Sequence, residues 1–163
     1  MGDDEELDSG FGMELFIETS GIPSQTFGES GLIPVVKTWP FYILRGATDL
    51  VARNVAAIVD IEEDGLISAT LRGFGPEFRG EGKERFIGPD GAVGVLIGAP
   101  RPDFPDVVSA PPAPPIRLVP IFLLTAAESA FIKPGLEPRD ELVRRLISAG
   151  TSHRCELDRP SLV

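Results

Sequence analysis

The sequence predicts an α+β fold, with one mixed β-sheet flanked by a few helices in a single domain. The chain has 163 residues, 42% of them hydrophobic, which is enough for one sizeable core. Strand-like and helix-like segments are mixed, without the regular alternation that is typical of a doubly wound parallel sheet. The single cysteine excludes an internal disulfide framework. We therefore expect one domain that is held together by its core.

The first third of the chain predicts a leader, a strand and a loop. Residues 1–9 are acidic and contribute little apolar surface, so we expect a disordered acidic leader before a globular domain over 10–163. Met13 to Thr19 is rich in residues that favour a half-buried strand. Ser20 to Gly31 is predicted to be a loop.

A long helix is predicted next, from about Trp39 to Ala57, because apolar residues recur there at three- and four-residue spacing. Thr38 is a candidate N-cap, and Pro40 suits the first turn. Trp39 is expected to be a core residue at the helix entry. Gly46 costs a helix up to about 1 kcal/mol relative to alanine, which weakens the case for an unbroken helix. Asp60 to Gly65 is predicted to be a turn.

Two further strands and a long connection follow. Leu66 to Leu71 and Ala92 to Ile97 are short apolar runs bounded by turn residues, with a glycine-rich charged loop between them. Pro100 to Pro115 contains too many prolines for a helix or a central strand, so it should cross the surface as an extended connection. Its role is left open by the sequence.

The last third predicts a strand and two helices. Ile116 to Leu124 is an apolar run of strand length, and Pro120 should confine it to an edge, a bulge or a strand end. Thr125 and Glu128 form a capping box at the start of a helix that runs to Lys133. Pro138 should open another helix, and the tail from Gly150 to Val163 is predicted to be irregular. The apolar stripe of that last helix consists of Leu142, Val143, Leu146 and Ile147.

Composition and charge restrict the class of function. The net charge is −10 with a pI near 4.5, which repels nucleic-acid phosphates and attracts a basic protein. No apolar run is long enough to span a bilayer, and the acidic start does not resemble a signal peptide. We therefore expect a cytoplasmic protein that binds another protein, with neither nucleic acid nor membrane as a partner.

The candidate site is a group of four carboxylates, Asp60, Glu62, Glu63 and Asp64, which we expect to bind a basic partner or to be merely solvated. Their spacing, ending in Gly65, resembles the front half of a calcium loop. The position that should supply the bidentate glutamate is Leu71, so calcium binding is not predicted. Burying such a concentration of unpaired charge is prohibitive, so the four groups must face water or a cation.

No catalytic, cofactor or metal site is predicted. His153, Cys155 and Asp158 superficially offer a base, a nucleophile and an orienting acid, but neighbours in an irregular tail seldom converge in that way. One histidine and one cysteine make a four-ligand zinc site improbable. The glycines between Gly73 and Gly82 do not match the spacing of a phosphate-binding loop, and no serine lies in a G-x-S-x-G motif.

Four short motifs, taken in order, resemble the suppressor-of-fused-like domain family. Ile61 to Arg85 and the proline-rich connection depart from the family pattern. The resemblance implies a mixed sheet with flanking helices and no catalytic activity, and its bacterial members look like immunity proteins. The motifs are Gly10-Phe-Gly-Met-Glu14-Leu15, Trp39-Pro40, Leu118-Val-Pro120 leading to Thr125-Ala-Ala-Glu128, and Leu157-Asp158-Arg159-Pro160-Ser161-Leu-Val.

Two functions from different classes remain as hypotheses. The first is a bacterial immunity-type protein, an antitoxin that binds and neutralises a basic toxin domain, as the family resemblance and the acidic charge indicate. The second is a small hydrolase or small-ligand-binding domain whose carboxylates converge in a pocket from distant positions. A deep cavity lined by several carboxylates would favour the second hypothesis.

Overall fold

The computed structural model contains five strands and four helices, which confirms the predicted α+β class with a mixed sheet in a single domain. It describes residues 12–20, 22, 35–74, 78, 82–101, 104–109, 111–151 and 154–163. The predicted leader, most of the loop after the first strand and part of the glycine-rich loop lie outside these residues. In chain order the elements are β1 (Met13–Phe16), α1 (Trp39–Ala52), α2 (Val55–Asp64), β2 (Ile67–Leu71), β3 (Val93–Ile97), β4 (Val107–Val108), β5 (Ile116–Leu124), α3 (Ala126–Ile132) and α4 (Leu136–Ser148).

The sheet has the strand order β1-β5-β3-β2. Strand β1 pairs with β5 in parallel, and β3 is antiparallel to both β5 and β2. The short strand β4 also pairs antiparallel with β5, at the end that β3 does not reach. Strand β5 is therefore central and has neighbours on both sides.

Helices cover both faces of this sheet. All five residues of β3 are buried, which requires cover above and below the strand. A methyl group on Gly46 of α1 would contact Leu71, and one on Gly94 of β3 would contact Ser129 of α3. Leu71 pairs with Val93, the neighbour of Gly94, so the two contacts lie on opposite faces. Helices α1 and α3 thus enclose the sheet in a three-layer arrangement.

The predicted helix from Trp39 to Ala57 is two helices in the structure. Helix α1 passes through Gly46 without a break and ends at Ala52. The chain turns instead at Asn54, whose backbone is extended (φ −132°, ψ 93°). Thr38 precedes α1 as predicted, but its hydroxyl donates to the Val35 carbonyl (2.7 Å) and does not cap the helix. Trp39 is buried, as expected, with 6% of its surface exposed.

The predicted turn from Asp60 to Gly65 is wrong, because Asp60 to Asp64 form the last part of α2. Ala57, Ile58 and Ile61 lie on one face of that helix and are buried, so the helical periodicity continues past the acidic residues. Gly65 ends the helix in the left-handed conformation (φ 75°), and its N–H donates to the Ile61 carbonyl. Gly65 therefore ends a segment, as the sequence indicated, but that segment is a helix and not a turn.

The ring of Pro120 predicts a position at an edge, a bulge or a strand end. In the structure, Pro120 instead lies in the middle of the central strand. It sits where the partners of β5 change: β1 ends opposite it at Phe16, and the ladder with β3 begins one residue later. Its carbonyl accepts the Gly98 N–H (2.8 Å), and proline has no N–H to leave unpaired. The change of partners accommodates the missing donor.

The proline-rich connection runs over the surface, as predicted, but it contains the unpredicted strand β4. Val107 and Val108 pair with Arg117 and Ile116, and both valines are exposed. Described residues on either side of this strand, including Pro111 to Pro115, are also exposed. The connection therefore continues the sheet on the side of β5 that β3 occupies.

The two C-terminal helices confirm most of the local predictions. Both hydrogen bonds of the capping box between Thr125 and Glu128 are present. Helix α4 begins at Leu136, two residues before the predicted Pro138. Leu142 and Leu146 are fully buried, but Ile147 is 44% exposed, so the predicted apolar stripe is narrower than expected.

Candidate functional site

The four carboxylates proposed as a partner site lie together at the C-terminal end of α2. Asp60, Glu62, Glu63 and Asp64 are all exposed, whereas Ile61 between them is buried. Among the residues that the structure describes, none of the four forms an ion pair within 4 Å. The structure thus presents a cluster of unpaired negative charge to solvent.

Helix electrostatics make this an unfavourable place for carboxylates. The C-terminal end of a helix carries a partial negative charge and attracts cations, so acidic side chains there are destabilising. Two arginines already bind carbonyl groups around this end: Arg117 Nη1 donates to Ile61 O (2.9 Å), and Arg139 Nη1 donates to Leu66 O (3.0 Å). The C-terminal end of α2 therefore favours positively charged groups, whereas the four side chains that it carries are negatively charged.

Glu128 is a fully buried carboxylate, but it is occupied by structural hydrogen bonds. Arg159 Nη1 donates to one oxygen (2.7 Å), Nη2 donates to the other, and the Thr125 and Leu162 N–H groups donate at 2.9 and 3.1 Å. Burial opposes its ionisation, yet the hydrogen bonds and charge of Arg159 outweigh that effect and hold the pKa of Glu128 below its usual 4.5. An ionised carboxylate with these partners is suited to holding the fold and not to transferring protons.

Arg159 and Cys155 complete the edge of strand β5 beyond the end of β1. The Leu123 N–H donates to Cys155 Sγ and the thiol donates to Ile121 O, both at 3.3 Å, while Arg159 Nη2 donates to Leu123 O (2.9 Å). The Arg159 guanidinium also lies 4.7 Å from the ring centroid of Phe122. Side chains of the tail thus satisfy backbone groups that a neighbouring strand would otherwise bind.

Cys155 cannot act as a thiolate nucleophile in this environment. Only 1% of its surface is exposed, and burial raises the pKa of its thiol to about 12. Asp158 is exposed, and His153 lies outside the described residues. The buried thiol is therefore not suited to the nucleophile role that we considered from the sequence.

The five cavities described along the surface do not bring carboxylates together. They have volumes of about 280 to 690 Å³, and each is lined by a single aspartate or glutamate. Within the described part of the chain, no group of three or more His, Cys, Asp or Glu residues is placed to hold a metal ion. None of these five cavities is thus the pocket of convergent carboxylates that our second hypothesis requires.

Sequence reasoning missed the ion pair between Glu128 and Arg159. It assigned Glu128 to a capping box and Arg159 to a tail motif, but the two are 31 residues apart in the chain. Both residues belong to motifs that carry the family resemblance. The order of those motifs along the chain was the only sequence signal we had for a contact between them. The contact of Thr125 with Ser161, whose hydroxyl oxygens lie 3.1 Å apart, joins the same two motifs.

No protein-family model, curated protein or solved structure matches this chain. None of the helices in the described residues combines the length and the apolar character needed to cross a bilayer.

Proposed function

We propose that this chain is a non-enzymatic protein-binding domain of the suppressor-of-fused-like, immunity type. In this proposal it acts in the bacterial cytoplasm, where it binds and neutralises a basic toxin domain. The carboxylates of Asp60, Glu62, Glu63 and Asp64 meet the positive charge of the partner.

One observation carries the proposal: the end of α2 combines four exposed, unpaired carboxylates with the negative end of a helix dipole. Each carboxylate repels its neighbours and the terminal carbonyl groups. A basic partner relieves both repulsions at once, so binding recovers stability that the free protein lacks. Residues that weaken a fold and strengthen an interaction are characteristic of binding sites.

The net charge of −10 supports the same mechanism at long range. Complementary charge accelerates the encounter of two proteins more than it slows their separation. Salt shortens the Debye length from about 30 Å at 0.01 M to about 8 Å at 0.15 M, so association with a basic partner should slow over that range.

The test begins with a pull-down at low salt, using the whole chain as bait and a co-encoded basic protein as the expected partner. Association and dissociation rates are then measured for the parent and for a variant with Asp60→Asn, Glu62→Gln, Glu63→Gln and Asp64→Asn. We expect the association rate at low salt to fall by about an order of magnitude or more, with a smaller change in dissociation.

The matched control variant also removes four negative charges, but from exposed acids that lie far apart in the sequence. Its substitutions are Glu14→Gln, Asp49→Asn, Glu84→Gln and Glu137→Gln. It separates local contact from overall charge, and it should retain more of the parent rate. The α2 variant should also melt at a higher temperature than the parent, because its helix end is no longer acidic. Equal association rates for both variants would remove the α2 carboxylates from the interface, and capture of no co-encoded partner would end the toxin-neutralising proposal.

A further inference from the structure

A cavity of about 400 Å³ lies between β2 and helices α3 and α4. Its walls include the hydroxyl-bearing residues Ser68 and Thr70 of β2 and Ser129 of α3. The other side is formed by Lys133 after α3 and by the first turn of α4. The volume lies within the range of about 300 to 1,000 Å³ that is usual for small-molecule sites.

The charges around this cavity are opposite to those of the whole chain. Three of the four charged residues that line it are cations, Arg72, Lys133 and Arg139, and the fourth is Asp90. Asp90 is already paired with Arg72 (2.8 Å), so it does not neutralise the other two. In a chain with a net charge of −10, a cavity with excess positive charge is suited to an anion.

Two polar atoms in the cavity wall make no hydrogen bond within the described residues. Arg139 Nε and Ser129 Oγ are buried and make no hydrogen bond. Arg139 Nε lies 3.5 Å from the Asp140 carboxylate, but that carboxylate is 62% exposed and does not line the cavity. An arginine is a specific ligand for phosphate oxygens because its donors are fixed in a planar fork.

The first turn of α4 adds a favourable electrostatic field. Gly135 and Leu136, the N-cap and the first residue of this 13-residue helix, both line the cavity. Glycine has no side chain with which to cap the helix, so the N–H groups of Leu136 and Glu137 have no side-chain cap, while Pro138 has no N–H and the Gly135 N–H donates to the Ile132 carbonyl. The positive end of a helix dipole also stabilises an anion.

We propose that this cavity binds the phosphate group of a small phosphorylated molecule, held by Lys133 and Arg139 beside the start of α4. The cavity is larger than a phosphate ion, and its hydroxyl groups suit the polar remainder of such a molecule. The site shares no residue with the carboxylate cluster of α2. Arg139 also binds the Leu66 carbonyl just beyond that helix, whereas Lys133 does not, so a change at Lys133 tests this proposal separately from the proposed protein partner.

The test is a titration of the ¹⁵N-labelled whole chain with inorganic phosphate, followed by amide chemical shifts. We expect saturable shifts at Ser68 to Thr70, at Ser129 to Lys133 and in the first turn of α4. Sodium chloride at matched ionic strength is the blank, and sodium acetate tests whether a carboxylate is sufficient. Non-saturable shifts, shifts that sodium chloride reproduces, or equal responses to acetate and phosphate would overturn the proposal.

Lys133→Gln is the principal variant, because this side chain is exposed and its loss leaves the core intact. It should weaken phosphate binding by about tenfold, the effect expected for one hydrogen bond to a charged group. Arg53→Gln removes the same charge from an exposed residue that does not line the cavity, and it should bind phosphate as the parent does. Equal affinity for the parent and Lys133→Gln would also overturn the assignment.

Arg139 needs a more conservative change, since its Nη1 also binds the Leu66 carbonyl. Arg139→Lys keeps the charge and removes the planar fork, so binding should weaken while the chain stays folded. Unchanged binding by this variant would remove Arg139 from the site.

Discussion

At the scale of single residues, Arg159 attaches the C-terminal tail of this protein to the core. Arg159 is buried and joins α3, β5 and the C-terminal residues through hydrogen bonds to Glu128, Leu123 and Pro160. A buried ion pair stabilises a fold only when its remaining donors and acceptors are satisfied. The oxygens of Glu128 accept four hydrogen bonds, whereas the buried Nε of Arg159 makes none with the described residues. Removing either member of the pair leaves the other as a buried charge without its ion-pair partner.

Arg159→Ala should lower the free energy of unfolding by about 3 to 5 kcal/mol, because it leaves the Glu128 carboxylate buried without its cation. Arg154→Ala is the matched control in the same tail. Its side chain is 56% exposed and lies 3.7 Å from Glu18, so the loss should stay below about 1 kcal/mol. Urea denaturation of both variants measures the difference, and similar losses would show that Arg159 contributes no more than a surface arginine.

The packing of whole elements depends on glycine in two contrasting ways. At Gly94 of β3, an added Cβ would lie 2.0 Å from Ser129 Oγ and 2.9 Å from its Cβ, so α3 packs directly on the strand backbone. At Gly46 of α1, an added Cβ would meet only the side chain of Leu71 at 3.4 Å, an ordinary contact. The first glycine is required by the approach of two elements, whereas the second is not.

We therefore expect opposite effects from the same substitution. Gly94→Ala should destabilise the protein by about 1 to 3 kcal/mol through overpacking. Gly46→Ala should stabilise it by up to about 1 kcal/mol, because alanine favours the interior of a helix. Urea denaturation of each variant against the parent provides the measurement. A Gly94→Ala variant as stable as the parent would contradict the close packing of α3 on β3.

At the scale of the whole molecule, the last ten residues cover the edge of β5 that extends beyond β1. Cys155 N donates to Glu18 O (2.8 Å) beyond β1, and Arg159 reaches the end of β5. Leu157 and Leu162 pack against the core as partly buried residues. The tail lacks regular secondary structure, as the sequence predicts, but it takes the place of a strand beside β5.

Deleting residues 154–163 should therefore abolish cooperative unfolding, because it exposes the edge of β5 and leaves Glu128 unpaired. The readout is thermal unfolding followed by near-ultraviolet circular dichroism. Deleting Val163 alone is the control, since this residue is 42% exposed and its removal should shift the melting temperature only slightly. A sharp transition in the ten-residue deletion would show that the tail is dispensable for the core.

The sequence by itself determined the features that neighbouring residues decide. The capping box at Thr125, which starts α3, depends on residues three apart, and the four longer strands and the start of α1 follow from local periodicity. The presence of an exposed acidic group near Asp60 was also predictable, because buried unpaired charges are prohibitive. These local rules were sufficient to establish the α+β class.

Only the tertiary structure decided where distant residues meet. Pro120 lies in the central strand because two partner strands change there, and no local rule reveals that change. The acidic residues end a helix because Ile58 and Ile61 have a core to pack against. Glu128 and Arg159 pair across 31 residues because burial leaves each without another neutralising group. Such contacts depend on the position of the whole chain in space, so residue spacing alone could not predict them.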